Sequence, residues 1–160
     1  MSFQIQQLTN NQKSYCQKYI SSLPANDVPV KPNISASFAG NKEITDDLLK
    51  LYLLRKKTAG SSIVEDFLSA GDPLPQAGNY WIFLNSKEEP ACLLKTASIK
   101  IHKFFEVPVE IAIAEGEGDL SLEHWRKVHA ELYAPFLKSW GLDSIQNATV
   151  ITEFFSIVYR

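Results

Sequence analysis

Two neighbouring runs constrain this chain most. Tyr80-Trp81-Ile82-Phe83-Leu84 is apolar, rich in aromatic and branched residues and opened by Gly78-Asn79, which suits a strand covered on both faces. Ala91 to His102 reads as a second strand, with Leu93, Lys95, Ala97, Ile99 and Ile101 on one side and Cys92, Leu94, Thr96, Ser98 and Lys100 on the other. The polar stretch Asn85 to Pro90 between them is short and predicts an antiparallel hairpin. A last strand is predicted from Val150 to Tyr159, its alternation interrupted around Glu153-Phe154-Phe155.

Helical spacing accounts for much of the remainder. Asn10 or Asn11 caps a first helix through Leu23, which Pro24 ends, and Pro24 to Pro32 forms an extended connector to a short strand at Ile34 to Phe38. Ile44, Leu48, Leu51 and Leu54 or Arg55 define an amphipathic helix with Thr45 as its cap, Asp46 and Asp47 in its first turn, and Gly60 as its stop. Ile63 to Ala70 makes one or two helical turns before the loop Gly71 to Pro75. Pro108 opens a helix to about Ala114. From Ser121 a longer one carries Leu122, Trp125, His129, Leu132, Tyr133 and Phe136 on one stripe, and Pro135 splits it before Trp140. The class is a mixed α+β domain.

Size and charge narrow the function. A chain of 160 residues, 45% hydrophobic and 21% charged, is expected to form one soluble domain with a proper core. A net charge of −2 argues against a protein that grips extended duplex DNA by counterion release, and leaves a short single strand or a nucleoside open as partner. Cys16 and Cys92 make neither a C-x-x-C pair nor a metal spacing, and His102, His124 and His129 lack zinc spacing. No leader pattern opens the chain and no apolar run approaches the ~18 residues that span a bilayer, so a cytoplasmic protein with no membrane partner is expected.

Two stretches carry chemistry. Leu54 to Ser62 puts Arg55, Lys56 and Lys57 at a helix end, followed on a glycine turn by the hydroxyls of Thr58, Ser61 and Ser62. Cations at a helix C-terminus gain ~0.3–1 kcal/mol each, so the run is either a well-finished helix or a loop that holds an anion or polar ligand. Glu115-Gly116-Glu117-Gly118-Asp119 places three carboxylates at alternate positions, where crowding would raise at least one pKa. The alternative is a solvated loop leading into a helix whose N-terminus welcomes negative charge. His129 and Trp125 are expected to pack in the core, and Arg126 reaches either solvent or a site.

Taken in order, Phe38, the helix from Ile44, Lys56-Lys57-Thr58-Ala59, Pro73-Leu74-Pro75 with Gly78, Ala114 to Asp119, Ser121-Leu122, Trp125-Arg126 and His129 resemble the ASCH (activating signal cointegrator homology) family. The likeness covers most of the chain and is to the longer bacterial branch. It implies a PUA-like small β-barrel flanked by helices, a single ASCH domain over 1–160 in which 1–33 is an N-terminal helical extension and connector. It also implies a cleft near the Lys-Lys-Thr loop that takes RNA or a nucleotide.

Some small bacterial members are amidohydrolases of N4-acylated cytidine that use a lysine, a threonine and a glutamate. By motif position Lys57 matches the lysine and Glu117 the glutamate, while Gly60 stands where the threonine belongs. Thr58, Ser61 or Ser62 is then the candidate nucleophile or ligand contact, or water attacks directly. Arg55 stands where the family often has glycine. The resemblance thus implies a hydrolase acting on a modified nucleoside with no cofactor. A non-catalytic module for single-stranded RNA or a nucleotide is the alternative, with Lys56, Lys57 and Arg126 on phosphate and Trp81 or Trp125 stacking a base. In a third reading Glu115, Glu117 and Asp119 hold a divalent metal for RNA cleavage.

Overall fold

The computed structural model describes residues 8–160. The expected hairpin is its centre. Strand β3 (Tyr80–Leu84) pairs antiparallel with β4 (Pro90–Lys103), Trp81 opposite Leu94 and Phe83 opposite Cys92. β5 (Thr149–Tyr159) runs antiparallel along most of β4, β2 (Ala59–Ile63) pairs antiparallel with β5, and β1 (Ile34–Ser37) lies parallel to β3. The sheet, ordered β1-β3-β4-β5-β2, is a curled half-barrel with helices on both faces, an α+β PUA-like fold.

A register shift between Thr96 and Ser98 inserts Ala97 as a bulge in β4. Because side chains alternate, one extra residue exchanges the faces beyond it. Ile99 and Ile101 therefore oppose Glu153 and Ile151, on the face away from Leu93, rather than sharing Leu93's side as strict alternation predicts.

Each face has its own cover. Helix α1 (Asn10–Ser22) packs Cys16, Tyr15 and Tyr19 against Ile34, Tyr80, Ile82 and Leu93. Its cap is Thr9, one residue before the expected asparagines, because Thr9 and Gln12 form a reciprocal capping box. Helix α3 (Val64–Ala70) follows β2 directly, and α4 (Val109–Glu115) and α5 (Leu122–Tyr133) bury Ile111, Ala112 and Trp125 against Ile63, Val150 and Phe104. On the opposite face, α2 (Thr45–Leu53) sets Tyr52 against Trp81, Phe83, Leu94 and Phe155. Pro135 ends α5 as expected, with a short 3-10 turn at Ala134–Phe136. Cys16 and Cys92 are buried free thiols.

Helix α2 corrects two expectations. Thr45 is not its cap: the Asn41 side chain accepts from the Glu43 and Ile44 amides, while Thr45 is buried, accepting from Ala39 N–H and donating to the Leu84 carbonyl. The helix ends at Leu53 rather than at Gly60. Arg55 turns left-handed (φ 57°), and the amides of Lys56 and Lys57 both return to the Leu51 carbonyl. Arg55 thus adopts the backbone that glycine favours. Gly60 lies inside β2.

Thr45→Val preserves shape but strands a buried amide and a buried carbonyl. A loss of about 1–3 kcal/mol is expected, read as a lower urea midpoint at unchanged slope.

Candidate functional site

The corner after α2 is sewn to two distant segments. The Thr58 amide and hydroxyl both donate to the Ala114 carbonyl, at 2.8 and 3.3 Å, and the Thr58 carbonyl accepts from the Phe155 amide at 2.8 Å. Helix α4 therefore ends directly against Lys57. Its C-cap, Gly116, is left-handed (φ 68°), and a Cβ there would stand 2.0 Å from the Lys56 carbonyl oxygen. Only glycine allows both the turn and that approach. The chain then reverses, so Glu115 and Glu117 flank the same lysine.

Lys57 is 6% exposed, and its ammonium lies 3.4 Å from Glu115 Oε2, 3.4 Å from Glu117 Oε1 and 3.3 Å from the Glu115 carbonyl. Tyr52 presents its ring to the same ammonium at 5.7 Å. Glu115 is equally enclosed: the Trp125 indole N–H donates to its Oε1 at 2.9 Å, and His129 Nε2 stands 3.5 Å from Oε2. His129 Nδ1 faces the Trp125 carbonyl at 2.8 Å, which fixes a proton on that nitrogen, and the two rings stack at 4.0 Å. Burial alone would raise the Glu115 pKa, but hydrogen bonding and charge from His129, the Lys57 ammonium and the Ser61 hydroxyl together hold it down at about 2.

The acidic stretch behaves otherwise than alternation implied. Glycines at 116 and 118 are both left-handed, so Glu115 and Glu117 meet at Lys57 while Asp119 turns away. Glu117 stays partly exposed beside Lys57, while Asp119 turns to accept from Ser121, whose hydroxyl and then amide lower its pKa. Both resolved shifts are downward, the reverse of the rise expected from crowding. Among the described residues no group of three His, Cys, Asp or Glu side chains is arranged to hold a metal, and Glu115, Glu117 and Asp119 do not converge on one point.

The remaining candidates separate. Lys56 is exposed at the corner and Lys57 buried beneath it. Ser61 points away from Gly60, bonding Thr152 Oγ1 at 2.8 Å on the α4/α5 face, and Ser62 lies two residues along the strand from Gly60. Trp125 is 4% exposed and offers no open face to a base. Arg126 donates to the carbonyls of Phe105 and Val107, so its guanidinium braces the turn before α4. Trp81 is half-buried on the α2 face, its indole N–H on Ser37 Oγ at 3.0 Å.

Two residues missed at the sequence level stand beside this cluster. The Tyr52 hydroxyl bonds the Ala59 carbonyl at 3.4 Å, and a Cβ on Gly60 would meet that hydroxyl at 3.3 Å and the Phe155 ring at 3.6 Å. Burial, then the charges of Glu115, Glu117 and Glu153, push its pKa well above the usual tyrosine value. Glu153 opposes Gly60 across the β2/β5 ladder and takes a 2.7 Å hydrogen bond from the Thr96 hydroxyl. A carboxylate inside an otherwise apolar strand was the available signal, visible as the broken alternation at Glu153-Phe154-Phe155.

A lysine held by paired carboxylates at the edge of a PUA-like half-barrel defines the class of this site. The ASCH domain model matches residues 35–159, and the chain belongs to the ASCH family. The crystal structure of an ASCH domain from Lactobacillus crispatus JV V101 superposes with a TM-score of 0.87 at 23% identity, over 98% of this chain and 99% of that one. A protein from Enterococcus faecalis V583 superposes with a TM-score of 0.78 at 22% identity, over 95% and 90% of the two chains. No functionally curated protein matches the chain. ASCH domains are generally RNA-binding. Among the described residues no helix is long and apolar enough to cross a membrane.

The Glu115 shift fixes an acid limb. With a folded pKa of about 2 against an ordinary 4.5, its stabilisation is complete above about pH 4.5 and is lost as pH falls toward 2. Glu115→Gln is expected to flatten that limb and to cost about 3–5 kcal/mol at neutral pH, since Lys57 loses its buried partner. Urea unfolding across the acid range reads both effects.

Proposed function

We propose that the rim around Lys57, Glu117, Gly60 and Tyr52, where the family resemblance implies a cleft, binds a nucleoside or a short RNA single strand without cleaving it. The observation that carries this reading is the absence of a nucleophile beside an otherwise retained lysine and glutamate. Gly60 has no side chain, the Thr58 hydroxyl is given to the Ala114 carbonyl, Ser61 is engaged with Thr152 on the far face of the strand, Ser62 lies two residues farther along it opposite Ile151, and Tyr52 is kept protonated and bonded to the Ala59 carbonyl. Lys57 is unsuited to act as a base, because its nitrogen already faces two carboxylates at 3.4 Å and the Glu115 carbonyl at 3.3 Å, leaving no lone pair directed at a substrate. With those three contacts filled it attracts a carbonyl or phosphate oxygen only through its charge, and Lys56 meets phosphate at the exposed corner. Trp81 and Phe155 supply apolar surface for a base.

A second reading is supported by the 3.4 Å contact between Lys57 and Glu117. In it, water replaces the threonine, Glu117 takes the proton from that water and returns it to the leaving amine, and Lys57 stabilises the oxyanion of an N4-acylcytidine-type amide. Metal-assisted RNA cleavage has no comparable support, since Glu115 and Asp119 are committed elsewhere.

A chromatographic assay on N4-acetylcytidine and short RNAs, with and without chelator, tests these readings beside salt-dependent binding. The binding reading expects intact substrates and affinity that falls with salt. Release of acetate and cytidine by the wild-type protein, abolished in Glu117→Gln, would establish the water-based hydrolase instead. Chelator-sensitive RNA cleavage would revive the metal. Gly60→Thr restores the hydroxyl at the cost of a small displacement of Tyr52, and is expected to create or raise amide hydrolysis at least ~tenfold, the scale set by supplying one positioned catalytic group.

A further inference from the structure

We infer that Glu153 reads the base of the ligand, its carboxylate accepting a hydrogen bond from the exocyclic amino group of a cytosine-type or adenine-type ring. The inference rests on the nucleoside or RNA reading of the cleft and names the chemical group that the cleft selects.

A half-buried carboxylate in the middle of a sheet is unfavourable unless something compensates it. Glu153 lacks the usual compensation. Among the described residues no cation pairs with it, the Lys57 ammonium being held by Glu115 and Glu117, and its one hydrogen bond comes from Thr96 Oγ1 to Oε2 at 2.7 Å. Thr96 has a single hydroxyl hydrogen, so it satisfies one oxygen and leaves Oε1 to accept from elsewhere. Oε1 is not among the buried unpartnered polar atoms of the described residues, so it reaches solvent, where a ligand can meet it.

Its surroundings fit a planar, polar-edged ligand. The cross-strand neighbour is Gly60, and directly opposed residues project to the same face with Cβ atoms ~4.5–5.5 Å apart. A Cβ at position 60 would stand 3.3 Å from the Tyr52 hydroxyl and 3.6 Å from the Phe155 ring, so glycine keeps this face low and aromatic beside Glu153. Phe155, two residues along the same face, lies 5.4 Å from Trp81 and 6.1 Å from Tyr52 between ring centroids. Trp81, Phe155, Gly60 and Glu153 all keep part of their surface in solvent while Tyr52 is buried beneath them. Burial raises the Glu153 pKa, the mark of dry surroundings in which a hydrogen bond gains strength.

Selectivity follows from lone pairs. Cytosine and adenine present an amino donor on the pairing edge, whereas uracil presents the O4 carbonyl where cytosine has its amino group. Oxygen would then face oxygen across the contact.

Calorimetric titration of the full chain with CMP, UMP and N4,N4-dimethyl-CMP tests this. The wild-type protein is expected to bind CMP roughly tenfold more tightly than either analogue, the scale of one hydrogen bond to a charged group. Glu153→Leu should bind all three alike, while Glu153→Gln, which keeps a carbonyl acceptor of the same shape, should retain the preference for CMP. Wild-type binding of CMP and dimethyl-CMP with equal affinity would overturn the inference and leave the nucleotide cleft standing, as would a preference that survives in Glu153→Leu. The dimethyl arm needs no variant to fold. No binding of any of the three would remove the nucleotide reading and this inference with it.

Discussion

The buried pair of Lys57 and Glu115 is the interaction on which the site depends. Neither ion is stable in an apolar interior alone, and each is only a few per cent exposed. The pair holds because every side of the carboxylate is occupied, by the ammonium, the Trp125 indole and the His129 ring. Three segments far apart in the chain are thereby held at one point: the turn after α2, the end of α4 and the middle of α5. Removing one member leaves the others charged or unsatisfied, so the network acts as a unit.

That unit is a platform for chemistry rather than chemistry itself. It holds Lys57 between two carboxylates and offers Glu117, the more exposed of them, on the solvent side. A fixed cation beside a partly solvated carboxylate suits both recognition of a polar ligand and stabilisation of developing negative charge. Beside it stands Gly60, at which the opposing strand brings Glu153 and the helix brings Tyr52. The edge strand places this position at the rim of the half-barrel rather than in its core.

The bulge at Ala97 has a part in this arrangement. Without it, Ile99 would share a face with Leu93 and the β4/β5 register beyond Thr96 would move. With it, Thr96 reaches Glu153 while Ile99 lies across from it, so the carboxylate sits between a hydroxyl and an apolar neighbour. Bulges commonly re-aim side chains next to sites, and here the consequence is a single oriented carboxylate in an otherwise apolar wall.

Local sequence determined the elements whose driving force is local. Tyr80–Leu84 is too apolar to be anything but interior, the stripe on α5 follows the helical period, and Pro135 removes the amide that helix continuation needs. Motif order alone was enough to put Lys57 near Glu117. Contacts between distant segments decided the rest. Helical spacing could not locate the end of α2, because the left-handed turn at Arg55 and the pairing of Ala59–Ile63 with β5 are set by tertiary contacts. Carboxylate spacing could not give the protonation of Glu115, since its pKa is lowered by residues 14, 58 and 54 positions away, His129, Lys57 and Ser61, brought together only when α4, α5, β2 and the corner pack. The position of Glu153 opposite Gly60 likewise follows from strand register, which alternation within one segment does not encode.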